Sequence, residues 1–320
     1  CDLINVENML ERAVELERLG VSIICVHVGI DQQVKGMKPI DITKRISEVL
    51  STADLAIAGG LNSETAPLAV SAGAKIIIIG HAMTAAANCK EATEIIKKSM
   101  ETGKPIESKL MKKYDEKDLY EVFKLVSTPN ISDALHRAPC MRDIHPLFPG
   151  IKIVGKAVTV RAYNGDWSKP VEAIDIAGKG DVIVIEVDGD IAVWGELASN
   201  SCQVRGIEGV VIDGAIRDVD DIIKLKLPAF ARYIRSNAGD PKGFGEINVE
   251  IEAGGLKVRP GDWIVGDDNG VIVIPKEKAQ EMANRALMVL ENENRIREEI
   301  KRGSTLAKVL KLKKWEKVIG

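Results

Sequence analysis

The sequence has few cysteines, and they are far apart. Its 320 residues contain five of them, and no C-x-x-C pair occurs. Disulfide frameworks and zinc sites need cysteines at short, regular spacings. The sequence therefore argues against both kinds of site and favours a reducing compartment, so we expect a cytoplasmic protein.

The sequence also lacks long apolar runs and a large net charge. No run approaches the roughly 20 residues of a membrane helix, and no signal-peptide pattern is present. The net charge of -3 gives no reason to expect nucleic-acid binding. We therefore expect small-molecule partners rather than a membrane or a nucleic acid. The length of 320 residues predicts two domains, each with its own core.

The first 103 residues alternate between apolar strands and amphipathic helices. Strands are predicted at residues 1–6, 21–28, 55–60 and 75–80, and helices at residues 6–19, 42–50, 63–72 and 89–102. Such alternation is typical of βα units in a parallel sheet. Four units make half of an eight-stranded barrel.

These four units resemble a known enzyme family. The segments CDLINV, ICVHVGIDQQ, IAGGLN and IIIIGHAMT are similar to the last four strands of 3-hexulose-6-phosphate synthase. That family belongs to the orotidine-monophosphate decarboxylase superfamily of TIM barrels. The resemblance implies a sugar-phosphate site with a metal-binding carboxylate, a catalytic histidine in a His-x-x-x-Asp motif and a phosphate cradle: Asp2, His27 with Asp31, and Gly59, Gly60, Gly80 with the amide of His81. Glycines let backbone N–H groups approach a phosphate at the carboxyl ends of barrel strands.

One element of that family is missing. An Asp-x-Lys-x-x-Asp motif on an earlier strand of the family does not occur in this sequence. We therefore expect this chain not to perform the aldol reaction of formaldehyde with ribulose 5-phosphate. We also expect the natural protein to have about four further βα units before Cys1 that carry the motif.

A polar, charged segment separates this partial barrel from the rest of the chain. Residues 104–116 form the predicted linker between domains at 1–103 and 117–320. From residue 276 onward the pattern predicts helix, and the chain ends in a basic amphipathic stretch at 308–320. We expect that stretch to be a solvated helix or a subunit contact rather than a membrane anchor.

The second domain contains the segment GELASNSCQVRGIEGVVIDGAIRD at residues 195–218. Glu196 follows a turn glycine, and Arg217 and Asp218 follow an apolar strand at residues 209–213. This order predicts two carboxylates and a fixed positive charge at the end of a β-element. Such groups can hold a divalent metal beside a small anionic oxo-acid. We expect the strand-turn around the Arg-Asp pair to be buried, so that both charges need partners.

Five motifs give this domain a second resemblance. In chain order they are STPNISDAL, PGIKIVGKAVTV, GKGDVIVIEVDGD, GELA with RGIEGVVIDGAIRD, and RPGDWIVGDDNGVIVIP. They resemble the RraA-like family, which contains the regulator of ribonuclease E activity and the 4-hydroxy-4-methyl-2-oxoglutarate and oxaloacetate lyases. The resemblance implies an α/β protein in which a β/β/α swivelling-type domain, assembled as a trimer or hexamer, follows the partial TIM barrel.

The chemistry expected of this domain is carbon–carbon bond cleavage with Mg²⁺ or Mn²⁺. Asp218 would bind the metal directly and Glu196 through water, while Arg217 would steady the substrate carboxylate and the developing enolate. The backbone N–H groups of Leu197 and Ala198 would also bind the carboxylate. Retro-aldol cleavage and oxaloacetate decarboxylation give the same pyruvate enolate, so one site could serve both.

Two other interpretations remain open. The domain could be a non-catalytic regulator of a ribonuclease, although that branch often replaces the Asp that is present here as Asp218. It could also regulate or scaffold the sugar-phosphate domain. Three further acidic residues, Asp262, Asp267 and Asp268, are predicted to form turns rather than to bind a metal.

Overall fold

The protein divides into two compact units. The computed structural model describes residues 1–84, 86, 88–108 and 114–312. Unit 1 comprises Cys1–Tyr114 with Met288–Gly320, and unit 2 comprises Asp115–Leu287. The predicted linker at 104–116 and the predicted C-terminal stretch at 308–320 lie partly outside the described residues. The predicted domains differ from these units at residues 288–320, which group with unit 1.

Unit 1 is built from parallel strands that alternate with helices. In chain order its elements are α1 Met9–Arg18, β1 Ile23–His27, α2 Ile30–Gln33, α3 Pro39–Ser47, β2 Asp54–Ala58, α4 Ala66–Ser71, β3 Ile76–Ile78, α5 His81–Thr84 and α6 Cys89–Thr102. The strands pair in the order β1-β2-β3, with all pairs parallel. The predicted strand at residues 1–6 forms only a single parallel bridge, between Asp2 and Cys25. The sheet therefore has the expected βα order, with a minimal first strand.

Unit 2 contains most of the strands. Its elements are α7 Leu119–Leu125, α8 Thr128–Ala134, β4 His145–Pro146, β5 Ile153–Tyr163, α9 Ser168–Ile176, β6 Val182–Asp188, β7 Ala192–Trp194, α10 Glu196–Arg205, β8 Gly209–Ile216, α11 Val219–Leu225, β9 Ala229–Ile234, β10 Glu246–Ile247, β11 Ile251–Ala253, β12 Leu256–Val258, β13 Trp263–Asp267 and β14 Gly270–Ile274. The helix α12 Ala279–Lys301 runs from unit 2 into residues grouped with unit 1, and α13 Leu306–Val309 follows.

The main sheet of unit 2 has the order β14-β13-β5-β6-β8-β9-β4, with β10 paired to β5 and β7 to β8. Strands β5, β6, β8 and β9 are mutually parallel. Their carboxyl ends therefore meet at one edge. Binding sites of parallel α/β sheets form at such an edge because the loops after the strands converge there.

Both faces of this sheet are covered. Alternate residues of β6 belong to two different hydrophobic clusters. Ile183 and Ile185 share a cluster with helical residues, and Val182 and Val184 share a cluster with residues of β11 to β14. The first cluster draws on α9, α10 and α11, and the second on β11 to β14. Apolar residues of β6 point to both faces, as is typical of a strand that is covered on both sides. Helices cover one face, and strands β13 and β14 of the same sheet contribute to the cluster on the other face.

One strand predicted for unit 2 was too short. The strand predicted to end near residue 213 continues as β8 to Ile216. The extension carries the sheet up to Arg217, so the polar pair stands directly at the end of a strand.

Candidate active site

Arg217 and Asp218 lie where β8 passes into α11. Seven of the eight residues of β8 are buried, and Asp218 is the residue that caps α11. Asp218 has φ 56° and ψ 37°, a left-handed conformation that residues with a side chain seldom adopt. Non-glycine residues are held in this region mainly where the surroundings enforce it, often at functional sites. The turn thus places Asp218 at the N-terminus of α11, directly after the end of β8.

A second turn, between β7 and α10, lies against the first. The backbone N–H of Arg217 donates to the carbonyl of Trp194 at 3.0 Å, and the N–H of Glu196 donates to Oδ2 of Asp218 at 3.1 Å. Gly195 lies between these two contacts. A Cβ atom on Gly195 would be 2.5 Å from Oδ2 of Asp218. Glycine is therefore required here for close approach, because its φ of -156° is ordinary extended backbone.

The two turns border a pocket of about 240 Å³. It is lined by Trp167, Val171, Ala192, Val193, Trp194, Gly195, Leu197, Ala198, Ser201, Arg217, Asp218 and Ala238. Four of the residues predicted for the lyase site therefore meet in one place: Leu197, Ala198, Arg217 and Asp218. Leu197 and Ala198 belong to the first turn of α10, where backbone N–H groups have no intrahelical acceptor and attract anions.

Glu196 is placed differently from the other predicted residues. It does not line the pocket, and its carboxylate accepts a hydrogen bond from the side-chain amide of Asn200, one helical turn further along α10. Its backbone N–H is bound to Asp218. Glu196 therefore lies beside the pocket, with its carboxylate bound to Asn200.

The strand before the Arg-Asp pair is buried as expected, but the pair itself is not. The side chains of Arg217 and Asp218 are 46% and 41% exposed, and Nε of Arg217 lies 3.5 Å from Oδ2 of Asp218. Burial ends with Ile216, at the last residue of β8. Both charges are thus accessible at the pocket, where a ligand could reach them.

Sequence reasoning missed the aromatic wall of the pocket. The indole N–H of Trp167 donates to the carbonyl of Gly239 at 3.0 Å, and that of Trp194 donates to the hydroxyl of Ser199 at 2.9 Å. Isolated tryptophans carry no spacing signal that would assign them to a site. Trp194 is the last residue of β7, directly before Gly195, whereas Trp167 precedes α9 and donates its hydrogen bond to the segment that follows β9.

That segment, residues 236–246, is held by Asp166. This buried carboxylate accepts hydrogen bonds from the backbone N–H groups of Lys242 and Phe244, at 3.2 and 3.0 Å, and from both the N–H and the hydroxyl of Ser168. Burial alone would raise the pKa of Asp166, but these hydrogen bonds outweigh it and lower the pKa to about 2. Asp166 thus fixes the border of the pocket near Ala238.

Acidic turns elsewhere in unit 2 have structural partners. Asp262 accepts the N–H groups of Arg259 and Lys276, Asp267 accepts the N–H and hydroxyl of Thr128, and Asp268 accepts the N–H of Gly150. Asp268 lies in the turn between β13 and β14, and Asp262 and Asp267 lie beside turns at the two ends of β13. Across the described ranges, no group of three or more His, Cys, Asp or Glu side chains is arranged to hold a metal ion.

In unit 1 the structure brings Asp2 and His27 together. Oδ2 of Asp2 lies 2.9 Å from Nδ1 of His27, and Oδ1 accepts the N–H of Ile4 at 2.9 Å. Partial burial would raise the pKa of Asp2, but the hydrogen bonds from His27 and Ile4 prevail and lower it. The carboxylate and the imidazole predicted for the sugar-phosphate site are therefore neighbours.

The predicted phosphate cradle has two distinct parts. Gly59 and Gly60 adopt positive φ values of 107° and 65° after β2, and a Cβ on Gly59 would lie 2.3 Å from the carbonyl of Val28. Gly80, by contrast, has open space around it, and His81 begins the short helix α5. Only the first part depends on glycine for its shape.

No described helix is both long enough and apolar enough to span a membrane.

Comparisons with known proteins concern mainly unit 2. The sequence model of one family, described as RraA-like (Aldolase/RraA), matches residues 128–273. An uncharacterized protein of Methanocaldococcus jannaschii is 45% identical over 196 residues, which cover 60% of this chain and 93% of that protein. A protein of Halalkalibacterium halodurans named "Putative 4-hydroxy-4-methyl-2-oxoglutarate aldolase" is 40% identical and covers 53% of this chain and 83% of its own length.

Solved structures give the same picture for unit 2 and little for unit 1. An uncharacterized protein of Pseudomonas syringae is 32% identical with a TM-score of 0.54, covering 61% of this chain and 98% of its own. The 3-hexulose-6-phosphate synthase of Salmonella typhimurium is 33% identical over 32% of this chain and 48% of its own, with a TM-score of only 0.30. A score that low does not establish a shared fold, so the likeness of unit 1 to that enzyme rests on its motifs.

Proposed function

Because the chain belongs to the RraA-like family, we propose that its second unit is a carbon–carbon lyase that releases pyruvate from a small 2-oxo acid. One observation carries the proposal. Arg217 and Asp218 line the same pocket as the first turn of α10. Binding an anionic oxo acid and stabilising its enolate require a fixed cation, a carboxylate and helix N–H groups that have no intrahelical acceptor.

The pocket residues bind two groups of the substrate, its carboxylate and its keto oxygen. The N–H groups of Leu197 and Ala198 bind the substrate carboxylate at the N-terminus of α10. Arg217 stands beside that carboxylate and stabilises the negative charge that develops on the keto oxygen. Its guanidinium suits this role because it stays charged and offers several donors in a fixed plane.

A divalent cation fits the donor set. Mg²⁺ is commonly held by one or two carboxylates and keeps several waters. Asp218 lines the pocket and would hold Mg²⁺ or Mn²⁺ directly, and Glu196 would hold the ion through water. When bound, such an ion supplies Lewis-acid stabilisation of the enolate.

The direct test is an assay of pyruvate release with a panel of 4-hydroxy-2-oxo acids and oxaloacetate. We expect release above the enzyme-free rate with Mg²⁺ or Mn²⁺ and its loss on addition of EDTA. Enzyme-free samples with metal are needed because oxaloacetate decarboxylates spontaneously. Absence of release with every substrate and metal would instead favour a non-catalytic regulator of ribonuclease activity.

For unit 1 we propose part of a sugar-phosphate site like that of 3-hexulose-6-phosphate synthase. The contact between Asp2 and His27 at 2.9 Å favours this function. Asp2 would help hold a metal, His27 would assist proton transfer, and the turn at Gly59 and Gly60 would bind the phosphate with Gly80 and the amide of His81. Titration of the chain with ribulose 5-phosphate, followed by NMR, tests whether these residues bind it.

A further inference from the structure

Gln33 is a buried polar residue of unit 1 to which the proposed functions give no role. It is the last residue of α2, and it is only 5% exposed. Its side chain contacts the end of β1 and lies against the glycine turn that follows β2. A buried amide at this place calls for an explanation, because burial of an amide is unfavourable unless its atoms are hydrogen-bonded.

The side-chain amide of Gln33 is held at the end of β1. Its Nε2 donates a hydrogen bond of 2.6 Å to the carbonyl of Val28. Val28 directly follows His27, the last residue of β1, and its N–H donates to the carbonyl of Ala58 at 3.3 Å. Because a carbonyl can only accept, the NH₂ group of Gln33 must face Val28, and this determines the orientation of the amide.

The same amide lies against both glycines of the turn. A Cβ on Gly59 would be 2.9 Å from Nε2 of Gln33, and a Cβ on Gly60 would be 2.3 Å from Oε1. Neither distance is compatible with the present position of Gln33. The amide therefore occupies the space that the two absent side chains leave, and it fits this turn only while both residues are glycine.

Filling that space does not by itself account for a glutamine. Oε1 of Gln33 is enclosed and accepts no hydrogen bond from the residues that the structure describes. An enclosed carbonyl oxygen without a donor reduces stability, whereas an apolar side chain of similar length would avoid that cost. What glutamine adds is the hydrogen bond to Val28, which links the strand end beside His27 to the glycine turn.

We infer that Gln33 is a positioning residue of the sugar-phosphate site, whose amide holds the Gly59–Gly60 turn in a fixed position relative to the end of β1. The inference rests on the function proposed for unit 1 and adds a residue to that site. Backbone N–H groups bind an anion well only when the chain holds them around one concave point. Loss of the link should therefore weaken phosphate binding although no group that would touch the phosphate is removed.

The experiment measures the dissociation constant of inorganic phosphate in the full chain, labelled with isotopic glycine and followed by NMR. Inorganic phosphate has no sugar hydroxyls, so its binding reports on the phosphate turn alone. Gln33→Met keeps most of the side-chain volume but has no donor for Val28, and we expect it to bind phosphate at least about 10-fold more weakly. The amide signals of Gly59 and Gly60 should shift in this variant even without phosphate.

Gln32→Ala is the matched control. Gln32 is the neighbouring glutamine of α2, and its side chain accepts the N–H of Gly29 at 3.2 Å. This variant should change the dissociation constant by less than about 2-fold and leave the signals of the glycine turn in place. Circular dichroism checks the fold of each variant. Gln33→Ala removes the same donor and should weaken binding at least as much, so it provides the test if Gln33→Met does not fold.

The outcomes separate the role of Gln33 from the site itself. Phosphate binding by Gln33→Met within about 2-fold of the unmodified protein would overturn the role of Gln33 and leave the phosphate site standing. Equal losses in Gln32→Ala and Gln33→Met would also overturn that role, because the loss would not depend on the contact with Val28. Absence of phosphate binding in the unmodified protein would overturn the phosphate site and the inference with it.

Discussion

Oδ2 of Asp218 accepts a hydrogen bond from the backbone N–H of Glu196 at 3.1 Å, although 22 residues separate the two in the chain. The contact joins the start of α10 to the start of α11. It therefore holds the helix N–H groups and the Asp218 carboxylate in a fixed relation at one pocket. A site that must stabilise a short-lived anion gains from such preorganisation, because its groups need not reorient during the reaction.

Removing the carboxylate of Asp218 should abolish most lyase activity. For Asp218→Asn and for Arg217→Ala we expect kcat to fall by about 10²–10³, the scale for loss of one electrostatic group in an active site. Asp220→Asn makes the same charge change at an exposed residue two positions away and should stay within about 2-fold of the unmodified protein. Similar losses in Asp218→Asn and Asp220→Asn would show that Asp218 has no special role.

Gly195→Ala should impair activity by displacing the carboxylate. The added Cβ would lie 2.5 Å from Oδ2 of Asp218 and 3.3 Å from Cγ of Arg217, so both side chains must move. We expect kcat to drop at least about 10-fold, since small misplacements of catalytic groups are costly. Steady-state kinetics measure this, and circular dichroism checks that the fold is kept. A fully active variant would mean that the pocket tolerates a different Asp218 position.

Asp166→Ala should loosen the segment at 236–246 and lower stability. It leaves the N–H groups of Lys242 and Phe244 without their acceptor, which should reduce the free energy of unfolding by about 1–3 kcal/mol. Because the pKa of Asp166 is lowered to about 2, its contribution is present above the ordinary Asp pKa near 4. It is lost as the pH falls towards 2. Urea unfolding at pH 7 and pH 3 should show a smaller difference between variant and unmodified protein at pH 3, and an unchanged difference would contradict this account.

Unit 2 should assemble as a trimer or a dimer of trimers. The family resemblance implies this assembly. Leu197 and Val204 of α10 are 78% and 88% exposed in the single chain. Exposed apolar side chains of this kind are expected where copies of the chain pack together. Light scattering at micromolar concentration should give three or six times the mass of 34.7 kDa. A monomer at that concentration would contradict the prediction.

The half-site in unit 1 should bind phosphate without catalysis. We expect no hexulose-6-phosphate synthase activity in this chain, because the Asp-x-Lys-x-x-Asp motif is absent. Weak binding of inorganic phosphate should be visible by NMR and should be lost in Gly59→Ala, whose Cβ would lie 2.3 Å from the carbonyl of Val28. Synthase activity in this chain would overturn the view that the site is incomplete.

The sequence was informative where a local pattern determines the structure. The helix predicted at residues 89–102 matches α6, whose ends are fixed by the Asn88 cap and by Gly103. Residues 195–218 predicted that Arg217 and Asp218 stand at a strand end, as they do. Both features depend on neighbours in the chain, which a pattern of residues records.

Other features depend on distant parts of the chain and were not predictable. Trp167 and Ala238 are 71 positions apart in numbering yet border one pocket, and the orientation of Glu196 depends on its contact with Asn200. Such placements follow from packing between elements, which is weakly encoded in residue spacing. The exposure of Arg217 was missed for the same reason, since the pattern shows an apolar strand but not where the pocket opens.

The most direct test of the lyase site is the exchange of pyruvate methyl protons with D₂O, followed by proton NMR in the presence of Mg²⁺. It isolates formation of the enolate, the step common to every substrate considered for the pocket. The account predicts that the unmodified protein and Asp220→Asn catalyse exchange. In Asp218→Asn and Arg217→Ala the exchange rate should be lower by a factor of about 10²–10³. Exchange no faster than with Mg²⁺ alone, or equal exchange in all four proteins, would contradict it.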